Sequence, residues 1–189
     1  MWAGEAHKAV LREPAGTLLD IGSGAGVHAE GFRAAGFRVT TLDIKPPADL
    51  IGRYTHIPLD PFDYIWASHV LEHQPDPHGF LTKCFVDLNP NGMLAITVPP
   101  LKHEIVGGHV SLWNAGLLLY RLVLAGFDCS EARVKTYGYN ISVLVRKKPA
   151  VLPELKWDGG DIERLRDYFP LPVHEGFDGR IESVNWPAK

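Results

Sequence analysis

The chain alternates short apolar runs with segments whose apolar residues recur every three to four positions. Thr17 to Ile21 (TLLDI), Arg38 to Asp43 (RVTTLD), Tyr64 to Ala67 (YIWA) and Met93 to Val98 are compact and bulky, and glycine, proline or polar residues stop each of them. Runs of this length bounded by turn residues predict buried strands. Between them, Val27 to Ala35 reads as a helix ended by Gly36. Phe80, Leu81, Cys84, Phe85 and Leu88 share one helical face, with Asn91-Gly92 as its stop. Asn114 to Ala125 (NAGLLLYRLVLA) is apolar on nearly every side before Gly126, which predicts a buried helix. Glu131 to Tyr137 and Asn140 to Arg146 flank Gly138 as a hairpin.

Strands alternating with helices predict an α/β fold: an open, doubly wound, mainly parallel sheet with helices on both faces. The closing hairpin adds an antiparallel strand at the end. After Lys148 the pattern changes. Pro149, Pro153, Gly159-Gly160, Pro170, Pro172, Gly176, Gly179 and Pro187 punctuate the chain, and only Ile162 to Tyr168 has a helical pattern. The expected organisation is one domain over residues 1–148, with residues 149–189 as a tail packed on it.

Composition narrows the function. With 189 residues, 46% hydrophobic and 22% charged, the chain suits one buried core and is neither disordered nor fibrous. The net charge is −3 and no basic run exceeds Arg146-Lys147-Lys148, so nucleic acid is not an expected partner. Cys84 and Cys129, the two cysteines, lie in apolar runs and read as buried thiols of a reducing compartment. No stretch approaches the roughly 20 apolar residues of a membrane span, and MWAGEAHKAVLRE lacks the apolar core of a signal peptide. A cytoplasmic protein without membrane association is expected.

The candidate chemistry begins at Leu18-Leu19-Asp20-Ile21-Gly22-Ser23-Gly24-Ala25-Gly26, a strand entering a glycine turn ahead of a helix. A triphosphate-binding loop would need a Gly-Lys-Ser/Thr ending, and no lysine occurs between Gly22 and Lys45. A dinucleotide fingerprint started at Gly22 would need a small residue where Val27 stands, and Asp20 would place negative charge beside the pyrophosphate. A ligand presenting an ammonium group gains from Asp20, while its other groups meet the backbone N–H groups of Gly22 to Gly26. S-adenosylmethionine has that polarity. Asp43 ends the next strand 21 residues after Gly22, where a carboxylate can accept both ribose hydroxyls of either cofactor.

Four segments in order, LLDIGSGAG, VTTLDI, FDYIWASHVLEH and LNPNGMLAITVPP, followed by GHVSLWNAGLLLYRLVLAGF, resemble the class I S-adenosylmethionine-dependent methyltransferases of the type 11/23 kind. The resemblance runs from about Thr17 to Arg146 and implies a Rossmann-like, seven-stranded methyltransferase sheet. It implies that Asp20, Gly22, Ser23 and Gly24 hold the methionine part, Asp43 the ribose, and Ser68 and His69 the region near the sulfonium, with Gly26 and Ile44 also among the cofactor-binding residues. Two departures stand out: no helix is expected between Asp43 and Phe62, and Gly52-Arg53-Tyr54 stands where members often read the adenine amine with an acid. Tyr54 is the aromatic available to stack on adenine, with core packing as its competing role.

His69, Glu72 and His73 would share one face of a helix, a spacing that suffices for a metal. A single carboxylate suits a hard ion less well than two, and no metal is expected. If the acceptor is a hydroxyl, His103 or His109 beyond the fifth strand is placed along the chain to take its proton. In the tail, Trp157, Tyr168, Phe169, Phe177 and Trp186 lie among Asp158, Asp161, Asp167, Asp178 and Glu182, a mixture suited to a polyhydroxylated acceptor or to docking the tail. The sequence reading is therefore a methyltransferase acting, at oxygen, on a small-molecule or glycan-like acceptor. The alternatives are an NAD(P)-dependent oxidoreductase and a non-catalytic cofactor-binding partner subunit.

Overall fold

The structure is a computed structural model in which residues 3–186 are described. Strands β1 (Thr17–Ile21), β2 (Arg38–Asp43), β3 (Leu50–Ile51), β4 (Phe62–Ser68), β5 (Leu88–Val98), β6 (Arg133–Tyr137), β7 (Asn140–Arg146) and β8 (Ser183–Val184) form one sheet. Their order is β3-β2-β1-β4-β5-β7-β6-β8. β1 to β5 run parallel, and β7 enters antiparallel beside β5. β6 and β8 continue the antiparallel edge. The mainly parallel α/β sheet with its closing hairpin is the expected architecture.

Helices α1 (Gly4–Val10) and α2 (Val27–Ala34) cover one face, and α3 (Pro77–Val86) and α4 (Ala115–Leu124) the other. Along β4, Tyr64 and Trp66 join the first core with Ala6 and Phe32, while Ile65 and Ala67 join the second with Phe80 and Leu118. Burial on both faces is why these strands read as continuous apolar runs instead of alternating ones. Among the described residues no helix is long and apolar enough to cross a membrane. Cys84 and Cys129 are buried free thiols.

Two elements differ from the sequence expectation, and a third agrees with it. The predicted α3 ends at Val86, five residues before Asn91-Gly92; Leu88 opens β5, and Asn91, at φ 61°, sits inside that strand. A Cβ on Gly92 would lie 2.9–3.1 Å from three backbone oxygens, so Asn-Gly here makes a close strand irregularity opposite Phe62 and Tyr64, not a helix stop. The segment before β1 is helical: His7 of α1 packs 4.4 Å from the ring of Phe32, and Gly31 has no Cβ because one would collide with the His7 ring. Between β2 and β4 the helix is indeed missing, replaced by β3 and one turn of 3₁₀ helix over Tyr54–His56.

The residues after Lys148 are held by the sheet. β8 pairs with β6 at Val134–Val184, and Leu165, from the short helix α5 (Asp161–Leu165), joins Phe169, Val173 and Ile181 in the core beside α4.

Candidate cofactor and acceptor site

β1 and β4 are neighbours whose following connections leave in opposite directions, to β2 and to β5. This opens a crevice at the carboxyl ends of the central strands, where open α/β sheets bind ligands. The glycine turn from Gly22 to Gly26 lies there. Gly22, Gly24 and Gly26 have φ of 71°, 52° and 78°, a left-handed backbone that side chains resist. A Cβ on Gly22 would also collide with Val70, whereas Gly24 and Gly26 face open space.

The turn's amides are not a free cradle, contrary to expectation. Gly22 N and Ser23 N both donate to the Leu42 carbonyl, at 2.7 and 3.2 Å, and Gly26 N donates to Ser23 O at 2.8 Å. Gly24 N donates to Asp43 Oδ2 at 2.9 Å, and the other oxygen of Asp43 accepts from Lys45 N at 3.1 Å. These bonds hold the turn against the end of β2 and place Asp43 at its rim.

Asp20, beneath the turn, carries an unsatisfied oxygen. It is 2% exposed, and neither its Oδ2 nor the buried Ser23 Oγ has a hydrogen-bond partner. Burial pushes its carboxyl up to about 7; Arg33 opposes the shift and the charge of Asp43 adds to it. A cation entering the crevice would supply the missing partner.

Ser68 and His69 end β4 as predicted, but His69 is not on a helix with Glu72 and His73. Its φ of 56° is left-handed, and the following single turn of 3₁₀ helix covers Leu71–His73. His69 Nε2 lies 3.0 Å from Asn140 Oδ1, its Nδ1 lies 3.3 Å from Glu72 Oε1, and its ring stacks on Tyr139. Burial opposes the ring's charge, but the Glu72 carboxylate and Asn140 outweigh it and raise its pKa. Asn140 and Tyr139 were missed by sequence reasoning. Their one signal is the tight Gly138 hairpin turn, which says nothing about what the turn touches.

Ile44, 65% exposed, stands on the rim beside Asp43. Tyr54 does not reach the crevice. It is 4% exposed, packs edge-on to Phe80 and donates its hydroxyl to Asp87 Oδ2 at 2.8 Å. Asp87 precedes the start of β5, at the opposite end of the sheet from the glycine turn, so Tyr54 is a core residue and its assignment to the cofactor is corrected.

Two cavities continue the crevice past β5. One of about 210 Å³ is lined by Lys102, His109, Ser111, Trp113 and Tyr139 among others. The other, about 370 Å³, lies between Pro100, Leu101, Trp113 and Ile141 and the tail segment Gly179, Arg180, Ile181 and Glu182. Trp113 lines both, and its Nε1, like Ser111 Oγ, is buried without a partner. His109 thus faces a cavity, whereas His103 is exposed and lines neither. The tail aromatics form no common platform. Phe169 is buried against Phe177, Tyr168 bonds Val151, Trp157 is 77% exposed, and Trp186 packs on the α1 side of the sheet.

The sheet order argues against the nicotinamide alternative. A dinucleotide-binding sheet continues 4-5-6 with parallel strands, whereas here antiparallel β7 is inserted between β5 and β6. Residues 2–132 match the methyltransferase domain family. The ubiquinone biosynthesis O-methyltransferase of Actinobacillus pleuropneumoniae is 25% identical over 186 residues, covering 85% of this chain and 72% of that protein. Its counterpart in Rhodopseudomonas palustris is 30% identical over 96 residues, covering 42% of this chain and only 38% of that relative's length. Among solved structures, the Burkholderia thailandensis 1,6-didemethyltoxoflavin-N1-methyltransferase, crystallised with 1,6-didemethyltoxoflavin and S-adenosylhomocysteine, superposes with a TM-score of 0.66 at 19% identity, covering 77% of this chain and 79% of that one. With strand order, glycine turn and family match in agreement, this chain belongs to the class I S-adenosylmethionine-dependent methyltransferases.

Proposed function

We propose that the chain transfers a methyl group from S-adenosylmethionine to an oxygen of a small-molecule acceptor held in the cavities beside Trp113. The observation that carries this reading is the buried carboxyl of Asp20 under the glycine turn, whose Oδ2 has no hydrogen-bond partner, which fits an ammonium group and opposes a phosphate. Asp43 would turn its carboxylate toward the ribose hydroxyls, and Ile44 would cover the adjoining apolar edge. When bound, the cofactor supplies a methyl group on a positively charged sulfur whose departure leaves a neutral thioether.

Such a displacement depends chiefly on alignment, so the walls of the acceptor cavity are the working parts of the chain. Pro100, Leu101, Trp113 and Ile141 make the larger cavity apolar, which favours a ring compound over a glycan. Ser111 and Trp113 offer polar atoms for orienting a hydroxyl. His69 is committed to Glu72 and Asn140 and is not assigned as a base. The oxygen specificity is supported by the named O-methyltransferase relatives, and a cytoplasmic setting by the buried free thiols.

The test is calorimetry of the full chain with S-adenosylhomocysteine and with NAD, followed by labelled methyl transfer into a panel of small hydroxylated and aminated ring compounds. Binding of S-adenosylhomocysteine alone and label on oxygen are expected. NAD binding without S-adenosylhomocysteine binding, or label found on nitrogen, would overturn the corresponding half of the reading.

A further inference from the structure

The tail reaches the larger cavity through a close backbone contact. Gly116, in the first turn of α4, donates its N–H to the Gly179 carbonyl oxygen at 3.0 Å. A Cβ on Gly116 would lie 2.7 Å from Gly179 Cα and 2.9 Å from the Phe177 ring, and one on Gly179 would collide with the side chain of Asn114. Glycine weakens a helix relative to alanine, so its place at position 116 is explained by the tail and not by α4. Asn114 cannot simply swing aside, because it caps α4 by accepting from Leu117 N at 2.8 Å.

The other end of the segment is fastened to β6. Thr136 donates its N–H to Glu182 O at 2.8 Å and its hydroxyl to Ile181 O at 2.7 Å. Arg180 and Ile181 therefore form a short bridge fixed at both ends, and this bridge is one wall of the 370 Å³ cavity. Ile181, 6% exposed, is the large apolar side chain that the tail gives the cavity. Arg180 is held by Asp178, which accepts from its Nε and Nη2 at 2.9 and 2.6 Å. Its charge is thus met by a residue that does not line the cavity.

We propose that this bridge selects the acceptor by size through Ile181, admitting hydroxylated compounds of one or two rings and excluding wider ones. About 370 Å³ lies near the lower end of small-molecule sites, which run from about 300 to 1,000 Å³. A close-packed wall clamped at both ends cannot retreat from an oversized ligand without breaking its clamps. Pro100, Leu101, Trp113 and Ile141 complete an apolar enclosure, so fit and not charge discriminates among ring compounds. The proposal rests on the reading that the acceptor occupies the cavities beside Trp113.

Calorimetry of the full chain with catechol, 2,3-dihydroxynaphthalene and 1,2-dihydroxyanthraquinone, each with and without S-adenosylhomocysteine, tests it. Ile181→Val should raise the three-ring affinity relative to the one-ring affinity about tenfold, the lower end of what one methylene discriminates. Ile181→Phe should lower the two-ring affinity relative to the one-ring affinity at least tenfold. Both variants should keep the circular dichroism spectrum and the S-adenosylhomocysteine affinity of the parent chain. Val173→Ala truncates another tail side chain of the core that does not line the cavity, and should leave the ratios unchanged. Unchanged ratios in Ile181→Val, an equal shift in Val173→Ala, or a parent chain that binds none of the three compounds would overturn the proposal. Ring binding with the expected shifts but no S-adenosylhomocysteine binding would leave the selector standing and overturn the methyl-transfer reading; S-adenosylhomocysteine binding with unmoved ratios would do the reverse.

Discussion

His69 and Asn140, 71 residues apart in the chain, meet through a 3.0 Å hydrogen bond between Nε2 and Oδ1. The same oxygen accepts from Ala3 N at 3.0 Å, and Asn140 Nδ2 donates to Tyr137 O at 3.2 Å. One amide thus joins the residue before α1, the tip of the β6–β7 hairpin and the end of β4, and holds the His69 ring with Nε2 as donor. With Glu72 on the other nitrogen, the imidazolium is favoured at the mouth of the crevice.

Replacing Asn140 should release that ring. In Asn140→Ala, two donors lose a shared acceptor, and a stability loss of about 1–3 kcal/mol is expected in denaturant melts. The His69 pKa, read by NMR of the ring, should fall toward its ordinary value. An unchanged His69 titration in a folded variant would show that Glu72 alone sets its charge.

Asp20 makes the site pH-sensitive. Its folded, ligand-free carboxyl titrates near 7 against an ordinary value of 3.8, so the folded state holds the proton more tightly than the unfolded one. From this group, stability of the ligand-free protein is greatest below its unfolded value, declines as pH rises toward 7, and levels off above. Binding of an ammonium ligand needs the ionised form, so affinity for S-adenosylhomocysteine should fall by up to tenfold per pH unit below 7. Asp20→Asn should bind more weakly at pH 8 and lose this dependence; a parallel slope in the variant would place the titrating group elsewhere.

For Asp43, the expected effect is on affinity. Asp43→Ala removes the partner of two backbone amides and the candidate ribose acceptor, and S-adenosylhomocysteine binding should weaken by about 1.5–3 kcal/mol without unfolding. Calorimetry on the folded variant checks this, and undiminished affinity would remove Asp43 from the site.

Tyr54 provides the opposite control. Tyr54→Phe deletes the hydroxyl bonded to buried Asp87, which Lys83 Nζ continues to satisfy at 2.8 Å. A stability loss of about 0.5–1.5 kcal/mol with unchanged cofactor affinity is expected. A selective loss of affinity would reinstate the stacking role.

In the tail, Ile181 both fills the core and lines the larger cavity. Ile181→Ala should cost about 2–5 kcal/mol of stability, the range for truncating a buried isoleucine. Removal of everything after Lys148 would take four core side chains and uncover β6, so aggregation is expected in place of a soluble cofactor-binding core. A soluble, fully folded truncation, shown by sedimentation and circular dichroism, would mean that the core closes without it.

The sequence by itself determined the central strands β1, β2 and β4, the β6–β7 hairpin, the glycine turn and the two acids that flank it. Strands covered on both faces must be apolar throughout, a turn with three left-handed positions must be glycine-rich, and Asp20 and Asp43 sit a fixed distance from that turn along the chain. Only the tertiary structure decided which turn amides β2 occupies, that Tyr54 points to the far end of the sheet, and that Asn91-Gly92 bends a strand. It alone brought the loop after β5 to Glu72 and Asn140 to His69. Those outcomes rest on single contacts between segments distant in sequence, such as Leu101 N to Trp113 O at 2.7 Å and Val110 N to Glu72 O at 2.8 Å, which fold an aperiodic loop back on the sheet. Local propensity and hydrophobic period carry no record of such contacts, because the energy that selects them arises only once both segments are packed.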